Sequence, residues 1–204
     1  MIHRALQICS MMFIMMLITL SGCLFVWEEE EFYPPMALSG KPEVSMSRIT
    51  VESKDGDMIA FLPEGWHLLG KEHFPSNDVF ALAIDSSMTL SAVFSSLPLK
   101  AKDSSTIVDV NEMMRFAMNR HSQKSGGAIQ QIGKGRALTI GRRTFGYITF
   151  AQSNDLIAKA LVWRSNSGNH YECAIVPLDI TSSRIPSDSV QSAIIRSMAT
   201  TILF

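Results

Sequence analysis

The chain has 204 residues, 47% of them hydrophobic and 18% charged, with only 12 Gly and 8 Pro. This is globular composition sufficient for one ordinary domain, and it excludes disorder and collagen-like repeats. A net charge of −1 argues against nucleic-acid binding, which needs a basic excess, and three cysteines cannot build a disulfide framework.

Met1-Ile2-His3-Arg4 makes a short positive start, and Ala5 to Leu20 follows as 16 residues without a charge, interrupted by Gln7 and Ser10. A spanning helix needs about 20 apolar residues, whereas a secretory signal uses a shorter apolar region ending in small residues. The run closes on Leu20-Ser21-Gly22-Cys23, which resembles the lipobox of bacterial lipoproteins. The resemblance implies a diacylglycerol on the Cys23 thiol, cleavage between Gly22 and Cys23, and a new amino terminus on Cys23 that is usually acylated as well. One acyl chain anchors only marginally, while two or more hold stably. An ordinary signal peptide, or an uncleaved anchor with an incidental Cys23, is the alternative. Processing leaves 182 residues at net charge −2, because Arg4 is the one charged side chain removed. Five of the 13 methionines leave too, so methionine richness is no argument for copper binding.

Residues 23–47 read as the lipidated cysteine and an acidic tether. Trp27 precedes Glu28 to Glu31, then Phe32-Tyr33-Pro34-Pro35 and Gly40-Lys41-Pro42, with no strand or helix period. Residues 48–204 read as a single domain. Ile49 to Val51 and Met58 to Leu62 flank Asp55-Gly56, a two-residue hairpin signal. Pro63-Glu64-Gly65 turns the chain into Trp66. Val79 to Ile84 is continuously apolar, which predicts a strand covered on both faces. Met88, Leu90, Ala92 and Phe94 alternate with Thr89, Ser91 and Ser95, which predicts a strand with one polar face.

Ile107 to His121 has helical period, with Ile107, Val110, Met113, Met114 and Ala117 on one stripe, and Ser105 or Thr106 as cap. Strands follow at about Arg136 to Ile140, Thr144 to Ala151, Leu156 to Trp163 and His170 to Val176, joined through turn residues at Gly141, Ser153-Asn154-Asp155 and Ser167-Gly168-Asn169. Pro186-Ser187 opens a terminal helix with Val190, Ile194, Ile195 and Met198 on one stripe. Strands, helix, strands, helix predict an α+β fold with a mostly antiparallel sheet and flanking helices.

Phe61-Leu62-Pro63-Glu64-Gly65-Trp66, the two sheet halves around one helix, and the closing helix resemble the Mog1/PsbP-like family, including bacterial lipoproteins of the DcrB and PsbP-like kind. The resemblance covers roughly Arg48 to Phe204. It implies an α/β/α sandwich whose members mostly bind or assemble protein partners without catalysis, and it supplies no active-site residues.

The residues offer little local support for catalysis. His67, His73, His121 and His170 survive processing, but none forms a zinc-type pair at helical spacing, there is no Cys-x-x-Cys, and no metal or cofactor is expected. Cys173 shares strand parity with Tyr171 and Ile175, as a small buried hydrophobe would. No Gly-x-Ser-x-Gly elbow or phosphate loop occurs. Gly133-Lys134-Gly135-Arg136, with Arg142 and Arg143 across a turn, is the one local concentration of positive charge. Lys134, Arg136, Arg142 and Arg143 form the candidate partner-facing patch, with a solvated hairpin tip as the plain alternative.

The expected function is a lipid-anchored, non-enzymatic interaction or assembly module of the cell envelope. It is held to the membrane by Cys23 and binds an envelope protein and no nucleic acid. Leu24 after Cys23, where an inner-membrane retention signal has Asp, points to the outer membrane facing the periplasm. A periplasmic small-ligand carrier would need a sizeable apolar pocket. An envelope hydrolase would need convergent His and Ser or Asp.

Overall fold

The central strands of the sheet are its most apolar, and both faces of them are covered. In this computed structural model, residues 36–99, 109–152, 156–180 and 184–204 are described. The strands are β1 (Met36–Ala37), β2 (Met46–Glu52), β3 (Ile59–Pro63), β4 (Trp66–Leu68), β5 (Val79–Asp85), β6 (Leu90–Leu97), β7 (Gln130–Gln131), β8 (Arg136–Ile140), β9 (Arg143–Ala151), β10 (Ile157–Arg164) and β11 (His170–Pro177). The α-helices among the described residues are α1 (Val110–Lys124) and α2 (Asp188–Thr201), and a short 3-10 helix spans Lys71–His73. The main sheet runs β1-β8-β9-β10-β11-β6-β5-β4, with β7 also on β9 and β2–β3 forming a separate hairpin. Every pairing is antiparallel except β1 with β8. The fold is α+β, as the order of elements predicts.

Strand alternation sends Phe94, Phe145, Leu161, Trp163, Tyr171, Cys173 and Ile175 into one core, closed by Ile194, Ile195 and Met198 of α2 and by Val51, Ala60 and Leu62 of β2–β3. The other parity sends Ile148, Phe150, Ala158, Ala160, Val162 and Ala174 against Met113, Met114, Ala117 and Met118 of α1. Gly146 lets α1 approach: a Cβ there would lie 2.5 Å from Met114 Cγ and 2.7 Å from Val162 Cγ2.

Several elements differ from expectation. β5 alternates buried Val79, Ala81 and Ala83 with half-buried Phe80, Leu82 and Ile84, because it lies next to the edge strand β4. The doubly covered strands are β10 and β11. Ser91 and Ser95 of β6, expected on a polar face, are buried: Ser91 Oγ donates to the Val176 carbonyl at 3.2 Å, and Ser95 Oγ accepts from Arg120 in the last turns of α1. The β2–β3 connection spans residues 53–58 instead of two residues, although Gly56 does take φ +69°. Val190 is exposed on α2, and Gln191 is buried instead, donating to the Pro186 carbonyl at 2.9 Å.

The main revision is at the start of the domain. Residues 36–47, expected in the tether, belong to the compact unit Pro34–Phe204. Met36 and Ala37 pair with Leu138 and Thr139, and Leu38, Val44 and Met46 pack on the core under α2. The amides of Glu43 and Val44 donate to Ser197 Oγ at 2.7 and 3.0 Å. A two-residue strand leaves no period in the sequence, and the prolines around it masked the packing residues. Residues 1–35, including the whole leader, Cys23 and the acidic run, lie outside the described residues, as do Ile107 and the Ser105/Thr106 cap.

Candidate functional site

The β8–β9 hairpin divides the expected basic patch between its two ends. Lys134, just before β8, and Arg136, its first residue, stand at the open end, while Arg142 and Arg143 lie at the Gly141 turn. The five residues of β8 put about 17 Å between the two ends. The four cations are therefore not one patch, since adjacency across a turn in sequence is separation along a strand for residues at its far end.

The two ends have different chemistry. Arg143 bonds the carbonyls of Ile202 and Thr200 (3.2 Å to the latter), satisfying acceptors that the last turn of α2 leaves open. It is a structural cap. At the other end, Lys134 and Arg136 line a groove of about 270 Å³ with Arg196 of α2, Tyr147, and the apolar Met36 and Ile132. Arg196 is gripped by Glu43 at 2.6 and 2.7 Å, and its hydrogen bond holds the Glu43 carboxyl below the usual carboxylate range. Arg196 and the 36–47 segment escaped the sequence reading because they are remote from the hairpin in the chain. A broader depression of about 650 Å³ lies near Lys54, Lys71, Phe74 and Phe80.

Two further constellations went unnoticed in the sequence. Glu172, 1% exposed at the centre of β11, receives Arg120 at 3.0 Å and is held through its other oxygen by His121 Nε2. Arg120 also pairs with Asp78 and donates to Ser95 Oγ at 3.1 Å, and Lys124 reaches Asp78 at 3.1 Å. The His121 ring stacks on Phe150 with centroids 4.7 Å apart. All three bases stand in the last turns of α1, where the helix dipole favours positive charge. The only hint in the sequence was the helical spacing of Arg120, His121 and Lys124. Their acidic partners are 42 to 52 residues away.

Asp57, between β2 and β3, accepts from Ser165 Oγ (2.5 Å), Ser53 Oγ (2.8 Å), Asn169 Nδ2 (3.0 Å) and the Tyr171 hydroxyl. Burial works to raise its pKa, but these four donors outweigh it and hold the carboxyl at about 2. Burial, reinforced by Asp57, pushes the Tyr171 hydroxyl up to about 12. Both clusters bind loops and helices to the sheet through fully engaged polar groups.

Cys173 is fully buried, and burial pushes its thiol far up, opposite to what a nucleophile needs. His67 of β4 and His73 lie on different elements from the buried His170 of β11 and from His121 of α1. Burial, then the charge of Arg164, presses the pKa of His170 down. Among the described residues, no three His, Cys, Asp or Glu side chains gather as a metal-binding group, and no helix is long and apolar enough to cross a membrane.

No model of a known protein family matches the sequence, and no curated protein matches it. Among solved structures, the solution structure of cyanobacterial PsbP (CyanoP) from Synechocystis aligns with a TM-score of 0.51 at 18% identity, over 82% of this chain and 97% of that one. A crystal structure from Bacteroides thetaiotaomicron aligns at TM-score 0.34 and 13% identity over 75% of this chain and 47% of that one, too distant to support an argument. The CyanoP likeness extends to the fold alone: this chain has a PsbP-like α+β fold.

Proposed function

We propose that the chain is a lipid-anchored envelope protein acting as a non-enzymatic interaction module. The observation that carries this reading is Leu20-Ser21-Gly22-Cys23 at the end of a 16-residue uncharged run, shortly before a compact domain whose described residues begin at Met36. In support, the polar clusters that would have to do chemistry are engaged in holding the fold. Glu172 is bonded by Arg120 and His121, Asp57 accepts from four donors, and Cys173 is sealed in the core. Leu24 after Cys23 favours the outer membrane, with the domain in the periplasm. Against the carrier alternative, both faces of the sheet are filled by side chains; the depression of about 650 Å³ near Lys54, Lys71, Phe74 and Phe80 is the volume in its favour.

The test is labelled palmitate in cells. Wild type should take up label and mature, whereas Cys23→Ser should remain an unlabelled precursor. Equal labelling of the mutant ends the lipoprotein reading. An envelope protein crosslinked to the wild type in intact cells, and lost when surface residues of the domain are changed, supports the module. Turnover of an envelope substrate by the purified chain overturns it.

A further inference from the structure

We infer that the outer edge of β2 pairs with the same edge of a second copy of the chain, joining two β2–β3 hairpins about a two-fold axis at Thr50. Among the described residues, β2 is paired on one side only, by β3. The phase of that ladder says which residues face outward. The Ser53 amide donates to the Met58 carbonyl at 3.0 Å, and since bonded pairs alternate in an antiparallel ladder, Val51 with Ala60 is the next. Ile59 and Phe61 turn the other way. Ile59 exchanges bonds with Leu203 at 2.9 and 2.8 Å, and Phe61 meets Thr201 Oγ1 at 3.4 Å. Their partners across the hairpin, Glu52 and Thr50, therefore turn their N–H and C=O groups away from β3, to the open edge. The strands that end the main sheet offer less, since β1 has two residues and β4 three against seven in β2.

The side chains select the occupant. Antiparallel pairing centred on Thr50 sets Thr50 against Thr50, Arg48 against Glu52 and Ile49 against Val51 of the second copy. The hydrogen-bond phase agrees, because Thr50 on the axis is an outward-facing residue and exchanges both its bonds with its own copy. Arg48 and Glu52 are exposed, and among the described residues neither side chain has an ion-pair or hydrogen-bond partner. The strand thus meets its own reverse with a cation opposite an anion at both ends. Ile49 shares strand parity with the buried Val51 yet is 39% exposed, since among the described residues no strand lies beyond it. In the pair it packs beside Val51 of the second copy and leaves water. β2 also carries no Pro or Lys, the residues that commonly block edge pairing. A two-fold contact of this kind is self-complementary and stops at two copies. Nothing in it requires the lipid anchor.

The test is sedimentation equilibrium of the mature-length chain with Cys23→Ser, which keeps every described residue. From about 1 μM to about 1 mM, the range of weak to moderate association, the mass should rise towards twice that of the chain. Thr50→Pro removes an N–H that the β2–β3 ladder does not use, so the melting midpoint should stay near wild type while the dimer is lost. Arg48→Glu places acid opposite acid at both ends of the pair, and Glu52→Arg places base opposite base. Each of these variants alone should dimerise about tenfold more weakly, because like charges then face each other. A 1:1 mixture of the two restores opposite charges at both ends and should recover wild-type affinity as a heterodimer. Arg48 and Glu52 are exposed, so their exchange should leave the fold intact and decides the matter even where Thr50→Pro fails to fold. A monomer throughout the range overturns the proposal, as does growth beyond two copies. So does a dimer that survives Thr50→Pro, a single-charge variant as tight as wild type, or a mixture no tighter than its components.

Discussion

Under α2 the sheet presents a run of rings, with Phe145 and Trp163, then Trp163 and Tyr171, at centroid distances of 6.0 Å, while under α1 the same strands present Glu172 between Arg120 and His121. The first face is tiled by two elements, α2 and the β2–β3 hairpin; Asp57 ties the hairpin to the β10–β11 turn, and the buried Lys159 of β10 reaches Asp188 at the start of α2. Among the described residues, the second face is covered by one helix. A single helix about 10 Å wide cannot cover a wide twisted sheet, and the long side chains of Arg120 and Lys124 extend from its end to cover what remains. The difference teaches that a buried charge in this fold marks the limit of a covering element.

The largest expected effect breaks the one-helix face. Glu172→Ala leaves Arg120 and His121 facing a buried site without their carboxylate, and should lower unfolding free energy in urea by about 3–5 kcal/mol. A loss below about 1 kcal/mol means that water already solvates the network and the two faces are not different in kind.

The two-element face should respond less, and with a signature in pH. Asp57→Ala removes an acceptor of four hydrogen bonds and should cost about 2–3 kcal/mol. The Asp57 carboxyl is depressed from 3.8 to about 2 in the fold, so its contribution is complete above about pH 4 and is lost as pH falls through about 2. The depression corresponds to roughly 2 kcal/mol. Unfolding of the wild type between pH 5 and 2 should show this acid-dependent loss, and the mutant should lack it. Parallel pH profiles would disconnect Asp57 from the closure of that face.

The smallest effect separates two neighbours in sequence. Arg143→Ala should lower the melting midpoint, costing about 1 kcal/mol, because Arg143 bonds the last carbonyls of α2. Arg142→Ala, at the exposed turn, should stay within about 0.5 kcal/mol. Equal effects would remove the distinction between a cap and a solvated tip.

By itself the sequence determined what depends on near neighbours. The alternation of Tyr171, Cys173 and Ile175 placed Cys173 in the core, the stripe Met113, Met114 and Ala117 announced the face of α1, and Leu20-Ser21-Gly22-Cys23 raised the lipid anchor, because each is a local pattern with a local cause. Only the tertiary structure decided which strand would be doubly covered, since Val79 to Ile84 looks as buried as β10 until its place beside the edge is known. It alone joined Met36, Lys134 and Arg196 in one groove and sent Arg143 to the end of α2. Those residues are brought together by strand order and helix docking, and charge or hydrophobicity along the chain has no period that records such neighbours.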